Sequence, residues 1–319
     1  MKSSVIKIVL SIIKMTSSVS APLFWNALPQ RKKIIAEYGR KKILKAFPKL
    51  RPLVYYYFYE LVKRIVTSPL IITKEINPSL KMELDVSKKT QRQIYFFPQY
   101  EEPIRKYIGK TLRSEDVFID VGANVGYYTM IASQIVGPKG KVYAFEPEAS
   151  NFDRLTRHIR INRFSNVYAY HGAVGAKPGR TKLYLNPLNE GGHSFHKHRR
   201  FFDSGRSISI EAGVKKFPDF KFEEEVEVVP LSSFVKDKKI QRINLLKIDV
   251  EGAQMEVIKG MLEILNKQKV AGIICELNKS DSDLIKMLNE REYRIYRCTN
   301  DGDPELLRGD VKPGNYLFL

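Results

Sequence analysis

Two short stretches carry residue types and spacings suited to group-transfer chemistry. In VFIDVGANVGYYT, residues 117–129, an apolar run ends on Asp120 and gives way to Gly122-x-Asn124-x-Gly126. The glycines allow positive φ and close backbone approach, and Asn tolerates the left-handed region better than most residues. The stretch therefore reads as a ligand loop at the end of a buried strand. A dinucleotide loop would read G-x-G-x-x-G. Here the spacing differs, and a carboxylate precedes the first glycine, where it would repel a pyrophosphate and attract a ligand carrying ammonium and sulfonium groups. S-adenosylmethionine answers that description. Glu146 ends the next apolar stretch, VYAFEP, 24 positions after Gly122. That is where an α/β nucleotide binder places a carboxylate to accept both ribose hydroxyls.

The second stretch is INLLKIDVEGAQMEVIKG, residues 243–260. With a side-chain period of two, Leu245, Lys247 and Asp249 share one strand face, and Leu246, Ile248 and Val250 the other. A lysine in a strand covered on both sides needs a partner or a place at the rim. Asp249 and Glu251 fall where the strand yields to a helix, beside the crevice in which α/β proteins bind ligands. They are candidates for holding an acceptor hydroxyl, and they also suit a helix start electrostatically.

The elements around these stretches alternate. Strands are expected at VFIDVG, KVYAFEP, NVYAYHGAV, INLLKIDVEG and VAGIICEL, and helices at YYTMIASQIV, ASNFDRLTRHIRIN, AQMEVIKGMLEILN and DSDLIKMLNERE. That rhythm implies an α/β fold with a doubly wound, mostly parallel sheet. The closing YRIYRC and NYLFL supply an antiparallel pair. TKLYLN and EEVEVVPLSSF read as strands flanking the polar loop GGHSFHKHRRFFDSGRS, and SPLIITKEINPSLKMELDV as a hairpin followed by a helix in FFPQYEEPIRKYIGKTL. Domain boundaries are expected at 1–68 for a basic helical extension and 69–319 for the catalytic domain, with its core at 116–319.

Composition is that of a globular protein, with 43% hydrophobic and 28% charged residues. The net charge of +19 is uneven: residues 1–100 carry 19 Lys and Arg against 5 Asp and Glu. Cys275 and Cys298 have neither metal-ligand nor disulfide spacing, which fits a reducing, cytoplasmic setting. No uninterrupted apolar run reaches the ~20 residues of a spanning helix. In VIKIVLSIIKM, Lys7, Ser11 and Lys14 form a narrow polar stripe on an otherwise apolar helix. Two placements remain open: a peripheral one against anionic lipid, or one docked on protein.

FIDVGANVGYYTMIA, GKVYAFEPEASNFDRLTRHIRIN, NVYAYHGAVG, VPLSSF and LLKIDVEGAQMEVIKG occur in the order found in the FkbM-type S-adenosylmethionine-dependent methyltransferases, which residues 98–277 resemble. The resemblance implies a class I methyltransferase fold and O-methylation of sugars, macrolides or related small molecules. It places Asp120, Gly122, Asn124, Gly126 and Glu146 on the cofactor and the backbone of Gly172 and Ala173 near the adenine. It also gives K-x-D-x-E-G, here Lys247, Asp249 and Glu251, a place in the site.

His193, His196 and His198 form H-x-x-H-x-H in the polar loop, but no carboxylate or cysteine joins them, and no metal is expected. His193 is a candidate general base, since the acceptor hydroxyl must lose its proton and imidazole titrates in the right range. His158 and His171 are assigned structural roles. Two other functions compete. Ribose methylation of RNA is suggested by the charge and by the lysine-acid arrangement, although the basic excess lies outside the catalytic region. A non-catalytic, cofactor-binding membrane adaptor is the other, and the intact acids argue against it.

Overall fold

The computed structural model describes residues 69–97, 100–186, 193–195 and 223–319, the backbone of 207–210 and 213–216, and the single residues Tyr59, Val62 and Val66. The remainder of 1–68, with the amphipathic stretch 5–14, and His196 and His198 lie outside the described residues. The chain divides into two compact units. One comprises Met1–Ile72, Leu84–Ser87 and Gln91–Pro98. Within it the Tyr59 ring lies 5.5 Å from Phe97 and 4.9 Å from the Arg92 guanidinium, and Asp85 Oδ1 accepts from the Leu70 amide at 2.9 Å.

The other unit is built on an eight-stranded sheet. Earlier in the chain come a hairpin, β1 (Ile71–Asn77) and β2 (Leu80–Asp85), and two helices, α1 (Lys89–Phe96) and α2 (Glu102–Thr111). Then β3 (Val117–Val121), α3 (Tyr127–Val136), β4 (Lys141–Glu146), α4 (Ala149–Ile161) and β5 (Val167–His171) alternate as the sequence pattern requires. An excursion follows, with β6 (Ala173–Val174), β7 (Gly179–Tyr184), a short antiparallel pair of β8 (Ser207–Ile210) and β9 (Gly213–Lys216), and β10 (Glu223–Val229). Helix α5 (Leu231–Asp237) leads back to the main sheet at β11 (Leu245–Ile248). The chain ends through α6 (Gln254–Gly260), α7 (Leu262–Asn266), β12 (Ile273–Leu277), α8 (Ser282–Asn289), β13 (Ile295–Cys298), β14 (Pro304–Leu306) and β15 (Gly314–Phe318).

The strand order of the main sheet is β14-β13-β15-β12-β11-β3-β4-β5. From β12 to β5 all pairs are parallel, while β15 inserts antiparallel beside β12 and pairs with β13. In the excursion β10 pairs parallel with β6 and antiparallel with β7, forming a second sheet. Among the described residues no helix is long and apolar enough to cross a membrane.

Alternation along the strands decides which side chains meet. Ile119, Val121, Leu246, Ile248, Ile273 and Cys275 join Leu231 and Phe234 of α5, Val257 and Ile258 of α6, Leu265 of α7 and Leu284 of α8 in one fully or nearly fully buried core. Each such aliphatic side chain stabilises the fold by about 1.5–3 kcal/mol relative to exposure. Asp120 and Lys247 stand on the opposite face, in register with one another. Helix α4 is tied to β2 by His158, whose Nδ1–H donates to the Val125 carbonyl at 2.7 Å while Nε2 accepts from the Glu83 amide at 3.0 Å. His171 stacks on Phe152 of α4, with Nε2 3.1 Å from the Pro147 carbonyl oxygen. Both histidines thus hold structure, as their positions in the sequence imply.

Four local differences from the sequence expectation have physical causes. AQMEVIKGMLEILN is two helices rather than one, because the backbone leaves helical geometry at Met261, with φ −116° and ψ 7°. NVYAYHGAV splits at Gly172 into strands of two different sheets. In EEVEVVPLSSF the strand ends at Val229, and Pro230 stands at the N-cap of a helix instead. The polar loop is followed by the β8–β9 pair, which the sequence pattern does not signal.

Gly260 ends α6 against the backbone that leaves β6: a Cβ added there would lie 2.0 Å from the Gly175 carbonyl oxygen. Gly260→Ala is therefore expected to lower unfolding stability by about 1–3 kcal/mol, as overpacking does, in urea or guanidinium melts. An unchanged denaturation midpoint would mean that this backbone approach is not held in solution.

Candidate functional site

The site forms at the carboxyl ends of β3, β4, β11 and β12. Asp120, near the end of β3, is only 1% exposed, and its Oδ2 accepts from Thr129 Oγ1 at 2.6 Å. Its Oδ1 has no hydrogen-bond partner among the described residues, and Lys247 Nζ lies 3.9 Å from it. The loop after it turns through Gly122 (φ 81°), Asn124 (φ 51°) and Gly126 (φ 85°). Gly122 is required twice over, by its φ and because a Cβ there would stand 1.8 Å from the Asp249 carbonyl oxygen. Asn124 Oδ1 accepts from the Val125 amide at 2.8 Å, which supports the left-handed turn.

Glu146 ends β4 beneath this loop. One carboxyl oxygen accepts from the Asn124 amide at 2.7 Å; the other accepts from the Glu148 amide at 3.0 Å and from Asn151 Nδ2 at 3.5 Å. Burial nevertheless pushes its carboxyl up to about 8. The Gly172 amide donates to the Glu146 carbonyl at 3.2 Å, and Ala173 follows buried in β6, so the fifth strand's end borders the same place.

Lys247 is the electrostatic centre. Its side chain is 3% exposed, and Nζ donates to Asp249 Oδ2 at 2.8 Å and lies 5.1 Å from the centroid of the Tyr128 ring. Burial opposes its charge, but Asp249 and Asp120 together outweigh that and raise its pKa. Burial likewise opposes the charge on Asp249, yet the adjacent ammonium prevails and holds that carboxyl below its ordinary range. Asp120 moves the other way, raised by burial despite Lys247. Glu251, with φ 44°, stands at the solvent-exposed rim; partial burial of its carboxyl and then the Asp249 charge push it up to about 7.

Two acids outside the sequence expectation join this group. Glu276, near the end of β12, follows Cys275, which pairs with Ile248, and so stands next to Asp249; burial, then the Asp249 and Glu251 charges, push it up to about 8. The strand-end rule that singles out Glu146 also applies to it. Glu101, with φ 42° just ahead of α2, accepts from Tyr128 Oη at 2.6 Å, and burial raises its pKa. A position in a QYEEP turn carries no such signal.

His193 lies beyond β7, where Tyr184 and Ser194 form an antiparallel bridge and Ser194 Oγ donates to the Glu251 carbonyl at 3.1 Å. Its Nδ1 accepts from the Asn186 amide at 2.9 Å, which leaves the proton on Nε2. Burial, then the Lys88 charge, lower its pKa to about 4, so the ring is neutral at pH 7. In that state it offers a hydrogen-bond donor. Among the described residues no cluster of His, Cys, Asp or Glu is arranged to hold a metal ion.

The loop suits a cationic adenosyl ligand rather than a pyrophosphate. An acceptor oxygen without a donor among the described residues, Asp120 Oδ1, stands at its start, a second carboxyl lies under it, and Gly122 leaves bare backbone in the turn. Two hydroxyls donating to Glu146 would favour its ionised form, so binding of S-adenosylhomocysteine is expected to tighten as pH rises from 6 towards 8. Glu146→Gln should flatten that dependence and weaken binding by about 1.5–3 kcal/mol, roughly ten- to a hundredfold. Calorimetry at several pH values measures both. A Glu146→Gln protein with wild-type affinity and pH dependence would remove the ribose role.

A family model described as methyltransferase FkbM domain matches residues 120–295. The chain is similar to methyltransferase 1 of Beauveria bassiana, 25% identical over 208 residues that make up 65% of this chain and 78% of that one. It is 26% identical over 207 residues to the hexuronic acid methyltransferase AglP of Haloferax volcanii, covering 64% and 74% of the two chains. It is 29% identical over 192 residues to the 31-O-demethyl-FK506 methyltransferase FkbM of Streptomyces tacrolimicus, covering 55% and 70%. With more than half of the chain matched, the mostly parallel sheet with its antiparallel β15 insertion is the class I methyltransferase fold, and the chain belongs to the methyltransferase FkbM domain family, whose methyl donor is S-adenosylmethionine.

Proposed function

We propose that this methyltransferase acts on a hydroxyl oxygen of a sugar, glycan, lipid-linked saccharide or related small molecule. The observation that carries the reading is a carboxylate, Asp249, kept ionised by a buried lysine immediately beside the Gly122 loop. Two of the similar proteins bear names of this kind, one a hexuronic acid methyltransferase and one a methyltransferase of 31-O-demethyl-FK506.

S-adenosylmethionine, when bound, supplies an electrophilic methyl group on a sulfonium. Asp120, the loop Gly122–Gly126 and Glu146 would hold it, with the backbone at Gly172 and Ala173 beside its base. Asp249 receives the hydroxyl proton, and Glu251 at the rim binds the acceptor. Lys247 holds Asp249 in place and in charge. His193, neutral and protonated on Nε2, orients an acceptor oxygen by donating to it, which replaces the base role expected from sequence. Alignment of the reactants in a site of this kind is the larger part of catalysis, with proton removal adding about 10²–10⁴-fold.

Asp249→Asn is accordingly expected to lower kcat by about 10²–10⁴-fold while leaving S-adenosylhomocysteine affinity within a few-fold of wild type. Turnover with isotopically labelled donor and saccharide extracts, followed by mass spectrometry, reads the first quantity, and calorimetry the second. A folded Asp249→Asn protein at the wild-type rate would leave the acid with only a helix-start role. Methylation of RNA with a steep salt dependence would instead support ribose as the acceptor.

A further inference from the structure

Asp249 presents a difficulty as a base. The ammonium 2.8 Å from its Oδ2 makes it a weak one, whereas proton abstraction is most effective when the base has a pKa near the working pH. The neighbouring strand supplies a correction. Lys247 pairs with Ile274 and Ile248 with Cys275 in parallel register, so Asp249, one residue past β11, and Glu276, near the end of β12, come next to each other on the Lys247 face of the sheet. Two neighbouring buried carboxyl groups disfavour each other's ionisation, and a proton they retain belongs to the pair rather than to either residue.

We propose that Asp249 and Glu276 act as one proton-sharing pair, in which Glu276 restores to Asp249 the basicity that Lys247 removes. This rests on the O-methylation reading above and deepens it. In each cycle the pair is first emptied of its shared proton to solvent. The acceptor O–H bond then breaks with its proton passing to Asp249, an O–C bond forms to the donor methyl, and the C–S bond breaks with its electrons remaining on sulfur, which becomes a neutral thioether. The pair now shares the acceptor's proton and has returned to its resting state. Asp249 is the member that meets the hydroxyl; Glu276 is a positioning residue that works through it.

Charged groups from every neighbouring element act on the pair. Lys247 on the same strand and Asp120 on β3 lie within one salt-bridge network. Glu251 in the following turn adds to the proton affinity of Glu276, and Lys89 acts on Glu251. Glu101 ahead of α2 acts on Lys247, and Asp281 ahead of α8 acts on Cys275 beside Glu276. The backbone of Glu276 is fixed by Gln254 Nε2 donating to its carbonyl at 3.1 Å and by pairing with Asn315 in β15.

The test begins on the ligand-free full chain, with aspartate and glutamate carboxyl carbons labelled with ¹³C and followed by NMR against pH. Beside Glu146, wild type should show a second glutamate that stays protonated past neutral pH and, unlike Glu146, has its titration mirrored at an aspartate. Glu276→Gln should delete this signal, and Asp249→Asn should bring the Glu276 titration down towards the ordinary carboxyl range, with burial still holding it above. If Glu276 in wild type already titrates in that range, independently of Asp249, the pair does not exist. A second measurement uses labelled donor and a saccharide that the wild type methylates. Glu276→Gln should lower kcat at least tenfold at pH 8, move the acidic limb of the rate profile downwards, and leave donor KM unchanged, with partial recovery in Glu276→Asp. An unshifted limb at the wild-type rate overturns the proposal even if the proton is shared. Failure of the wild type to bind S-adenosylhomocysteine or to methylate any saccharide would strike at the O-methylation reading instead, and the carboxyl titration would still decide whether the pair is formed.

Discussion

Lys247 is a full positive charge in a parallel strand covered on both faces, and the placement of the surrounding acids depends on it. Desolvating such an ion costs several kcal/mol, and removing one partner of a buried pair typically destabilises by about 3–5 kcal/mol. The sheet meets this by register: Lys247 pairs with Asp120 across β11 and β3, while Asp249 follows two residues later on the same face. Asp249 could not stay charged at this depth without the ammonium, and the ammonium depends in turn on the acids around it. The Tyr128 ring closes over the third side, fixed by its hydroxyl on Glu101.

That arrangement joins the two halves of the site mechanically as well as electrostatically. The Asp249 amide donates to the Val121 carbonyl at 2.9 Å, and Gly122 passes so close to the Asp249 carbonyl that only hydrogen fits between them. The Gly122 loop and the K-x-D-x-E-G turn therefore share one backbone wall. The turn also carries strain, with Glu251 and Gly252 both at positive φ, and a non-glycine residue there costs on the order of 1–3 kcal/mol. Ser194 offsets part of it by donating to the Glu251 carbonyl, which ties the segment beyond β7 to the same turn. Movement of the turn relative to the loop is restricted by these bonds.

How much of this could be read from the sequence depends on whether a residue contradicts its local pattern. Asp120 and Lys247 are legible because a charge inside an apolar strand needs a reason, and the reason each has is the other. The class of fold is legible because alternating strands and helices leave few topologies. Glu276 is legible in principle, as a strand-end acid like Glu146, but one acid after IIC looks ordinary until β12 is known to lie beside β11. Glu101 and Tyr128 are not legible at all, since their contact joins a turn to a helix 27 positions away. The break between α6 and α7 escapes for the same reason: Gly260 approaches Gly175 there, a tertiary contact that competes with a good helical period. The geometry of His193 likewise depends on Asn186, which no spacing rule connects to it.

The balance of charge gives the site a further property. Glu101, Asp120 and Asp249 act on Lys247, Glu251 and Glu276 on the acids beside it, and fully ionised the five would leave the site strongly negative. Burial, as the first cause in each, raises the pKa of Glu101, Asp120, Glu251 and Glu276, and at Glu251 and Glu276, pushed up to about 7 and about 8, part of the charge is held as bound protons near neutrality. Protons and an entering cation then compete for the same carboxyls, and each weakens the other's binding by the same amount. A donor carrying both ammonium and sulfonium competes with those protons better than its demethylated product, which keeps only the ammonium. With the donor held as proposed, the same acids would favour replacement of spent product by fresh donor. They would do so more strongly as the pH rises through the range in which they ionise, because fewer protons then remain to be displaced.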